Sequence, residues 1–175
     1  MPSTSAPSTS APAVSASDFR AAMGRFPSGV TVATTIDASG APRGFTANAF
    51  SSVSLNPPIV LVCLARTAEC FPAFMECERF AVSVLARGQR ALALRFATRG
   101  ADKFGPGGFE PGAGAPVVAG AAGAVRCRVL ERHPAGDHVV LLGSVENASW
   151  TEHPPLVYHA GAFPELVPGG GADDV

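Results

Sequence analysis

The sequence predicts a mainly β protein, an antiparallel barrel with a few flanking helices, and three observations carry that reading. Eight or so short segments rich in β-branched residues are punctuated by turn chemistry. Only three stretches show helical spacing, and strands do not alternate regularly with helices, which favours a closed barrel over a doubly wound sheet.

In chain order, Ser17 or Asp18 can cap a helix in which Phe19, Ala22, Met23 and Phe26 recur at i, i+3, i+4 and i+7; this helix is expected to face the core, and Pro27 ends it. Residues 30–36 alternate apolar and small polar types. Asp37-Ala38-Ser39-Gly40 then offers hairpin chemistry before a strand over 43–47. Residues 50–55 form another strand, and Asn56-Pro57-Pro58 turns the chain. Residues 59–64 are apolar throughout, as in a central strand buried on both faces.

Thr67 is a plausible N-cap for a helix over 68–77 with Phe71, Phe74 and Met75 on one face, although Pro72 limits its regularity. A strand over 80–85 and a helix over 88–97 follow, then a Gly- and Pro-rich loop over 105–123 of the length that often carries function. Strands over 125–131 and 138–145 form a hairpin around Pro134-Ala135-Gly136-Asp137, and a strand over 156–159 closes the series.

A chain of 175 residues suits one domain able to bury about 70% of its unfolded surface. Thirteen Lys and Arg against 14 Asp and Glu leave no basic face for a nucleic-acid partner. Residues 44–65, the longest charge-free apolar-rich run after the N-terminal tail, contain hydroxyls and the Pro57-Pro58 pair and do not read as a membrane span. With 15% charged and 47% apolar residues, the chain is expected to bury surface beyond its own core, in a dimer or around an organic ligand. Residues 1–16, limited to Met, Pro, Ser, Thr, Ala and Val, lack the pattern of a signal peptide and are expected to be a disordered tail, as is 169–175, leaving a domain over 17–168. Cys63, Cys70, Cys77 and Cys127 show neither C-x-x-C nor zinc-ligand spacing, so reduced thiols, no metal and a cytoplasmic setting are expected.

The glycines give no dinucleotide fingerprint: after the pairs at 105/107, 112/114 and 169/171, Glu110, Val117 and Asp174 stand where the third glycine belongs. Hydrogen-bonding capacity is instead concentrated in Thr46, Asn48, Ser51, Ser52 and Ser54, beside an apolar strand. Arg66-Thr67 at an expected helix start adds a cation and a dipole end, so these groups could hold a compact phosphate such as that of a mononucleotide. The same residues are also ordinary at strand edges and caps. His138, opening a strand after Gly136-Asp137, could present its ring at the barrel rim or be an incidental surface imidazole. His133, His153 and His159 show no convergent spacing.

In order, F-P-S-G-V-T-V-A-T-T (26–35), G-F-T-A-N-A-F-S-S-V-S-L-N-P-P (44–58), V-L-A-R-G (84–88), R-F-A-T-R-G-A-D-K-F (95–104), C-R-V-L-E-R-H-P-A-G-D-H-V-V-L-L-G-S-V (127–145) and Tyr158-His159 resemble the short-chain flavin reductases. The resemblance spans about 18–163. L-V-C-L-A-R-T-A-E-C-F-P-A-F (61–74) looks like the reductases serving two-component monooxygenases of actinomycete aromatic polyketide pathways.

This resemblance implies a split β-barrel homodimer that binds FMN or FAD, reduces it with NADH or NADPH and releases it to a separate monooxygenase. It places Ser28 and Gly29 by the isoalloxazine, Thr46, Ala47 and Asn48 at its edge or ribityl chain, and Ser51, Ser52, Arg66 and Thr67 near the phosphate. Lys103 and Phe104 are further candidates, and His138 matches a histidine near the nicotinamide. Hydride transfer between stacked rings needs placement more than a protein acid or base. The sequence departs from the family at Ala49, Ala65 and Ala160-Gly161-Ala162-Phe163; the last lacks a common Arg and leans the reading toward FMN. The rival readings are a flavin-binding electron carrier without reductase activity, a flavin oxidase of the pyridoxamine-phosphate type, and an apolar-ligand carrier.

Overall fold

The computed structural model describes residues 14–110 and 114–166. Seven strands form one antiparallel sheet: β2 (Thr31–Ile36), β3 (Pro42–Ala47), β4 (Phe50–Leu55), β5 (Pro58–Ala65), β6 (Arg79–Val84), β9 (Gly123–Ala135) and β10 (His138–Trp150), in the order β3-β2-β6-β9-β10-β5-β4. Two-residue strands pair beside it, β1 (Ser28–Gly29) with β11 (Val157–Tyr158) and β7 (Phe109–Glu110) with β8 (Val117–Val118). The helices are α1 (Ala16–Met23), α2 (Phe71–Glu76) and α3 (Arg90–Ala97). None in the described residues is long and apolar enough to cross a membrane.

Among the described residues no ladder closes this antiparallel sheet into the expected barrel. The two edges of the sheet, β3 and β4, share no ladder, although only Asn48 and Ala49 separate them in the chain. Ala49 instead turns its carbonyl to the Cys63 amide at 3.0 Å, continuing the β4–β5 pairing, so the edges meet at one point and diverge from it. That junction positions the site.

β2 shows why small polar residues alternate with apolar ones: its first five residues are all buried. The Thr31 hydroxyl donates to the Ala47 carbonyl at 2.8 Å, Thr34 to Pro116 and Thr35 to Arg79, so each buried hydroxyl has a partner. On the sheet's inner face, Phe45, Phe74, Phe80, Val62, Leu64 and Leu141 form one cluster, with Phe45 and Phe74 edge to face at 5.2 Å. A second cluster joins Val32, Leu85, Phe96 and Leu156.

Several expectations are corrected. The first helix begins at Ala16, capped by the Ser15 hydroxyl accepting from the Asp18 amide at 3.1 Å, and does not face the core. Phe19, Met23 and Phe26 are 59%, 55% and 76% exposed because no other element among the described residues packs over the stripe. The strand over 59–64 is neither central nor buried on both faces. It lies next to the edge, with Val60, Val62 and Leu64 inward and Ile59, Leu61 and Cys63 only half-buried. The helix expected over 68–77 starts at Phe71, because Pro72 fits only a first turn, so Thr67 is not its cap and no helix dipole begins at Arg66-Thr67.

The 105–123 loop contains the β7–β8 pair, with residues 111–113 outside the described part. The last hairpin is longer than expected, thirteen residues a side, because Pro134 and Ala135 stay in the strand, leaving only Gly136 and Asp137 to turn, and because the far end goes on pairing through Trp150 opposite Gly123. Gly136 takes φ 58°, which such a two-residue turn demands. The expected tails lie, apart from residues 14–16, outside the described residues.

Candidate functional site

A cleft of about 380 Å³ opens where β3 and β4 meet. Thr46, Ala47 and Asn48 form one wall, Thr67 stands beyond the end of β5, and Lys103 and His138 close the rim.

The register decides which backbone groups of β3 are available. Asp37 donates its amide to the Ala41 carbonyl at 2.9 Å, so alternation along the ladder makes Thr35/Arg43, Ala33/Phe45 and Thr31/Ala47 the bonded pairs. Val32 and Thr34 belong to the opposite parity and bond β6, in step with the Leu85 amide donating to the Val30 carbonyl at 2.9 Å. Gly44 and Thr46 therefore turn their backbone groups away from β2, off the edge of the sheet. The Gly44 carbonyl is taken by Lys103 Nζ at 3.2 Å, while the Thr46 amide has no ladder partner.

Helix α3 supports this edge. The Thr46 hydroxyl donates to the Ala93 carbonyl at 2.6 Å. A Cβ at Gly44 would lie 2.7 Å from the Ala33 carbonyl oxygen and 2.9 Å from the Phe96 ring, so glycine lets helix and strand approach. Phe96 also anchors Phe104, edge to face at 5.1 Å, and Phe104 meets Phe109 at 4.9 Å. Phe104 thus packs in an aromatic cluster and lines a neighbouring hollow, not the cleft itself.

At the opposite rim, His138 opens β10 opposite Ala65. Its Nδ1 lies 2.7 Å from Asp137 Oδ1, and this hydrogen bond holds the Asp137 carboxyl below its ordinary range. An ionised carboxylate only accepts, so Nδ1 carries the proton and Nε2 is left outside the pair. Among the described residues Lys103 is the cleft's cation without a carboxylate partner, whereas Arg99 Nε pairs with Glu69 at 3.5 Å. Burial pushes the Cys63 thiol up and the Cys70 thiol to about 11, so neither cysteine of the cleft supplies a ready nucleophile.

Of the residues singled out by the sequence, Thr46, Ala47, Asn48, Thr67, Lys103 and His138 line one cleft. Ser28 and Gly29 lie apart in the β1–β11 pair. Ser28 is opposite Tyr158, which lines an apolar hollow of about 410 Å³ that shares Thr46 and Asn48 with the cleft. Ser51 and Ser52 are exposed farther along β4, the Ser51 hydroxyl donating to the Ser52 carbonyl at 3.1 Å. Arg66 is exposed and engaged with the 136–137 turn through its amide, 2.9 Å from the Asp137 carbonyl, and its Nε, 3.2 Å from the Gly136 carbonyl. Glu69 and Arg99 also line the cleft and were not anticipated, although cations in the T-R-G-A-D-K-F segment after a helix could have pointed to Arg99.

Residues 23–166 match the flavin reductase like domain model. The chain belongs to the flavin reductase-like family. This flavin reductase-like chain is 50% identical over 155 residues to the actinorhodin polyketide dimerase of Streptomyces coelicolor, covering 87% of this chain and 88% of that one. It is 41% identical over 154 residues to the NADH:riboflavin 5'-phosphate oxidoreductase of Streptomyces pristinaespiralis, covering 86% and 88%. Among solved structures, the NADH:FAD oxidoreductase of Streptomyces globisporus in complex with NAD and FAD fragments superposes with a TM-score of 0.84 at 36% identity, covering 89% of this flavin reductase-like chain and 94% of that chain.

Proposed function

We propose that this protein is an NADH-dependent flavin reductase that passes reduced flavin to a separate monooxygenase. One observation carries the reading: the unladdered Thr46 amide stands in the same cleft as an imidazole whose orientation Asp137 fixes. The donor set fits a flavin, with an outward edge amide for a carbonyl-rich ring edge, Thr67 and Lys103 for an anion, and protonated thiols that offer no competing chemistry. FMN is favoured, since among the described residues the cleft offers one cation free of carboxylates, Lys103, and the turn at 160–161 carries Ala160 and not an arginine.

Bound flavin and nicotinamide supply the hydride chemistry. The chain places and shields them. Thr46 and Asn48 would hold the ring edge and stabilise negative charge there, with the Thr46 amide already oriented by the sheet, while Ala47, bonded to Thr31, would line that edge. Thr67, with Ser51, Ser52 and Arg66 beyond it, faces the phosphate end. Lys103 adds positive charge, Phe104 stiffens the segment bearing it, and Ser28 and Gly29 border the side toward the apolar hollow. His138 orients the nicotinamide.

We also infer a split barrel and a homodimer. The first is supported by edges that meet only at Asn48–Ala49, and the second by Phe26, Leu55 and Trp150, which are 76%, 91% and 78% exposed, and by the half-buried outer face of β5. Free thiols at all four cysteines support a cytoplasmic setting.

Anaerobic stopped-flow mixing with NADH tests the activity. Flavin absorbance is expected to bleach with wild-type protein and to bleach at least tenfold more slowly with His138→Ala at similar flavin affinity, within the range for a misplaced reactant. Flavin that binds but never bleaches would make the protein a carrier.

A further inference from the structure

We propose that Arg66 is a positioning residue for His138, acting through the two-residue turn between them, in addition to any contact with the flavin phosphate. The inference rests on His138 facing the nicotinamide. β5 ends at Ala65, directly opposite His138, so Arg66 falls beside the turn. Its amide donates to the Asp137 carbonyl at 2.9 Å and its Nε to the Gly136 carbonyl at 3.2 Å. One residue thus grips both turn residues, and Asp137 in turn grips the imidazole at 2.7 Å. Three direct hydrogen bonds make up the relay, two from Arg66 to the turn and one between Asp137 and the ring.

This turn needs an external hold. Gly136 adopts φ 58°, the Asp137 side chain is 93% exposed, and thirteen-residue strands lead away from the cleft. A hairpin tip with so little burial opens at low free-energy cost. The amide contact is available to any residue at 66, but the directional Nε–H contact requires arginine. Its terminal nitrogens make no hydrogen bond among the described residues, so they can meet an anion while Nε holds the turn. A single guanidinium can therefore link occupancy of the phosphate end to placement of the ring that meets the second substrate.

Riboflavin, which lacks the phosphate, separates the two roles. With Arg66→Ala, the rate of flavin bleaching at saturating NADH is expected to fall about 5–20-fold, on the scale of a slightly misplaced reactant, and by the same factor with riboflavin as with FMN. On a His138→Ala background the substitution should add little, because it acts through that ring. Arg66→Lys should stay slow, since it retains charge but not the Nε–H geometry. Amide hydrogen exchange across residues 136–138 should quicken in both Arg66 variants, and the exposed side chain makes an unchanged melting temperature a usable folding control. Slowing confined to FMN, full additivity with His138→Ala, or no slowing with either flavin overturns the proposal. Wild-type bleaching by His138→Ala instead removes the reading beneath it, an outcome distinct from slow His138→Ala with normal Arg66→Ala.

Discussion

The Thr46 hydroxyl reaches across to the Ala93 carbonyl at 2.6 Å, tying the edge strand that bounds the cleft to the middle of α3. Thr46→Val keeps the shape and removes the donor. The Ala93 carbonyl lies within a helix and retains that bonding, so the expected loss is about 1 kcal/mol of unfolding free energy in urea titrations. Flavin affinity, followed by quenching of flavin fluorescence, should fall severalfold as β3 loosens from α3. A stability loss with unchanged affinity would separate this contact from the site.

Cys63 and Cys77 are both half-buried, but only Cys63 lines the cleft. Cys70 and Cys127 are buried, with thiols pushed to about 11 and about 12, so at pH 8 only about one in a thousand Cys70 side chains is thiolate. Iodoacetamide labelling followed by mass spectrometry should therefore leave Cys70 and Cys127 largely unmodified. Added FMN should slow labelling at Cys63 and leave Cys77 unaffected. Equal protection of the two half-buried cysteines would place the flavin elsewhere.

The strands around the site were legible because their chemistry is local: a β-branched run for β2, an Asp-Ala-Ser-Gly turn before β3, and an Asn-Pro step between β4 and β5. What the sequence misjudged depends on packing and pairing between segments distant in the chain. The stripe of α1 signalled a core-facing helix and the apolar run of β5 two-sided burial, but among the described residues the stripe stays exposed and only one face of β5 is fully buried. Closure of the sheet was undecidable locally, because the pairing of Ala49 with Cys63 sets where the edges part. In the site, the hydroxyl-rich stretch and the Gly-Asp-His turn stood out, whereas the Thr46 amide became visible only through the parity of the whole β2 ladder.

Asp37 holds the β2–β3 turn that sets this parity. The Ser39 hydroxyl at 2.6 Å, the Arg43 guanidinium at 2.7 Å and the Ala41 amide at 3.0 Å hold its carboxyl far below the usual carboxylate range. With the folded pKa depressed, the stabilisation is present above the unfolded value of about 3.9 and is lost as pH falls toward the folded one. The wild-type melting temperature should drop below about pH 4, and Asp37→Asn should drop less over the same window. Asp137 and Glu146 are lowered by similar contacts, so the slope shrinks without vanishing. An identical slope in the variant would remove Asp37 from the account.

Ala160 is the one non-glycine residue with positive φ among the described residues, at 48°, followed by Gly161 at 83°. The two complete a tight turn in which His159 and Ala162 exchange amide–carbonyl bonds of 2.9 Å, and the Ala160 amide donates to Gly24 at the end of α1. Alanine in this conformation costs roughly 1–2 kcal/mol, whereas glycine avoids the strain but adds about 0.4–1 kcal/mol of unfolded-state freedom. Ala160→Gly should therefore stabilise by roughly 0.5–1 kcal/mol, and Ala160→Asn at least as much, because asparagine tolerates the left-handed region without glycine's entropy. Calorimetry should record a rise of about 1–4 °C. A fall would mean that the Ala160 methyl contributes packing against α1 worth more than the strain it imposes.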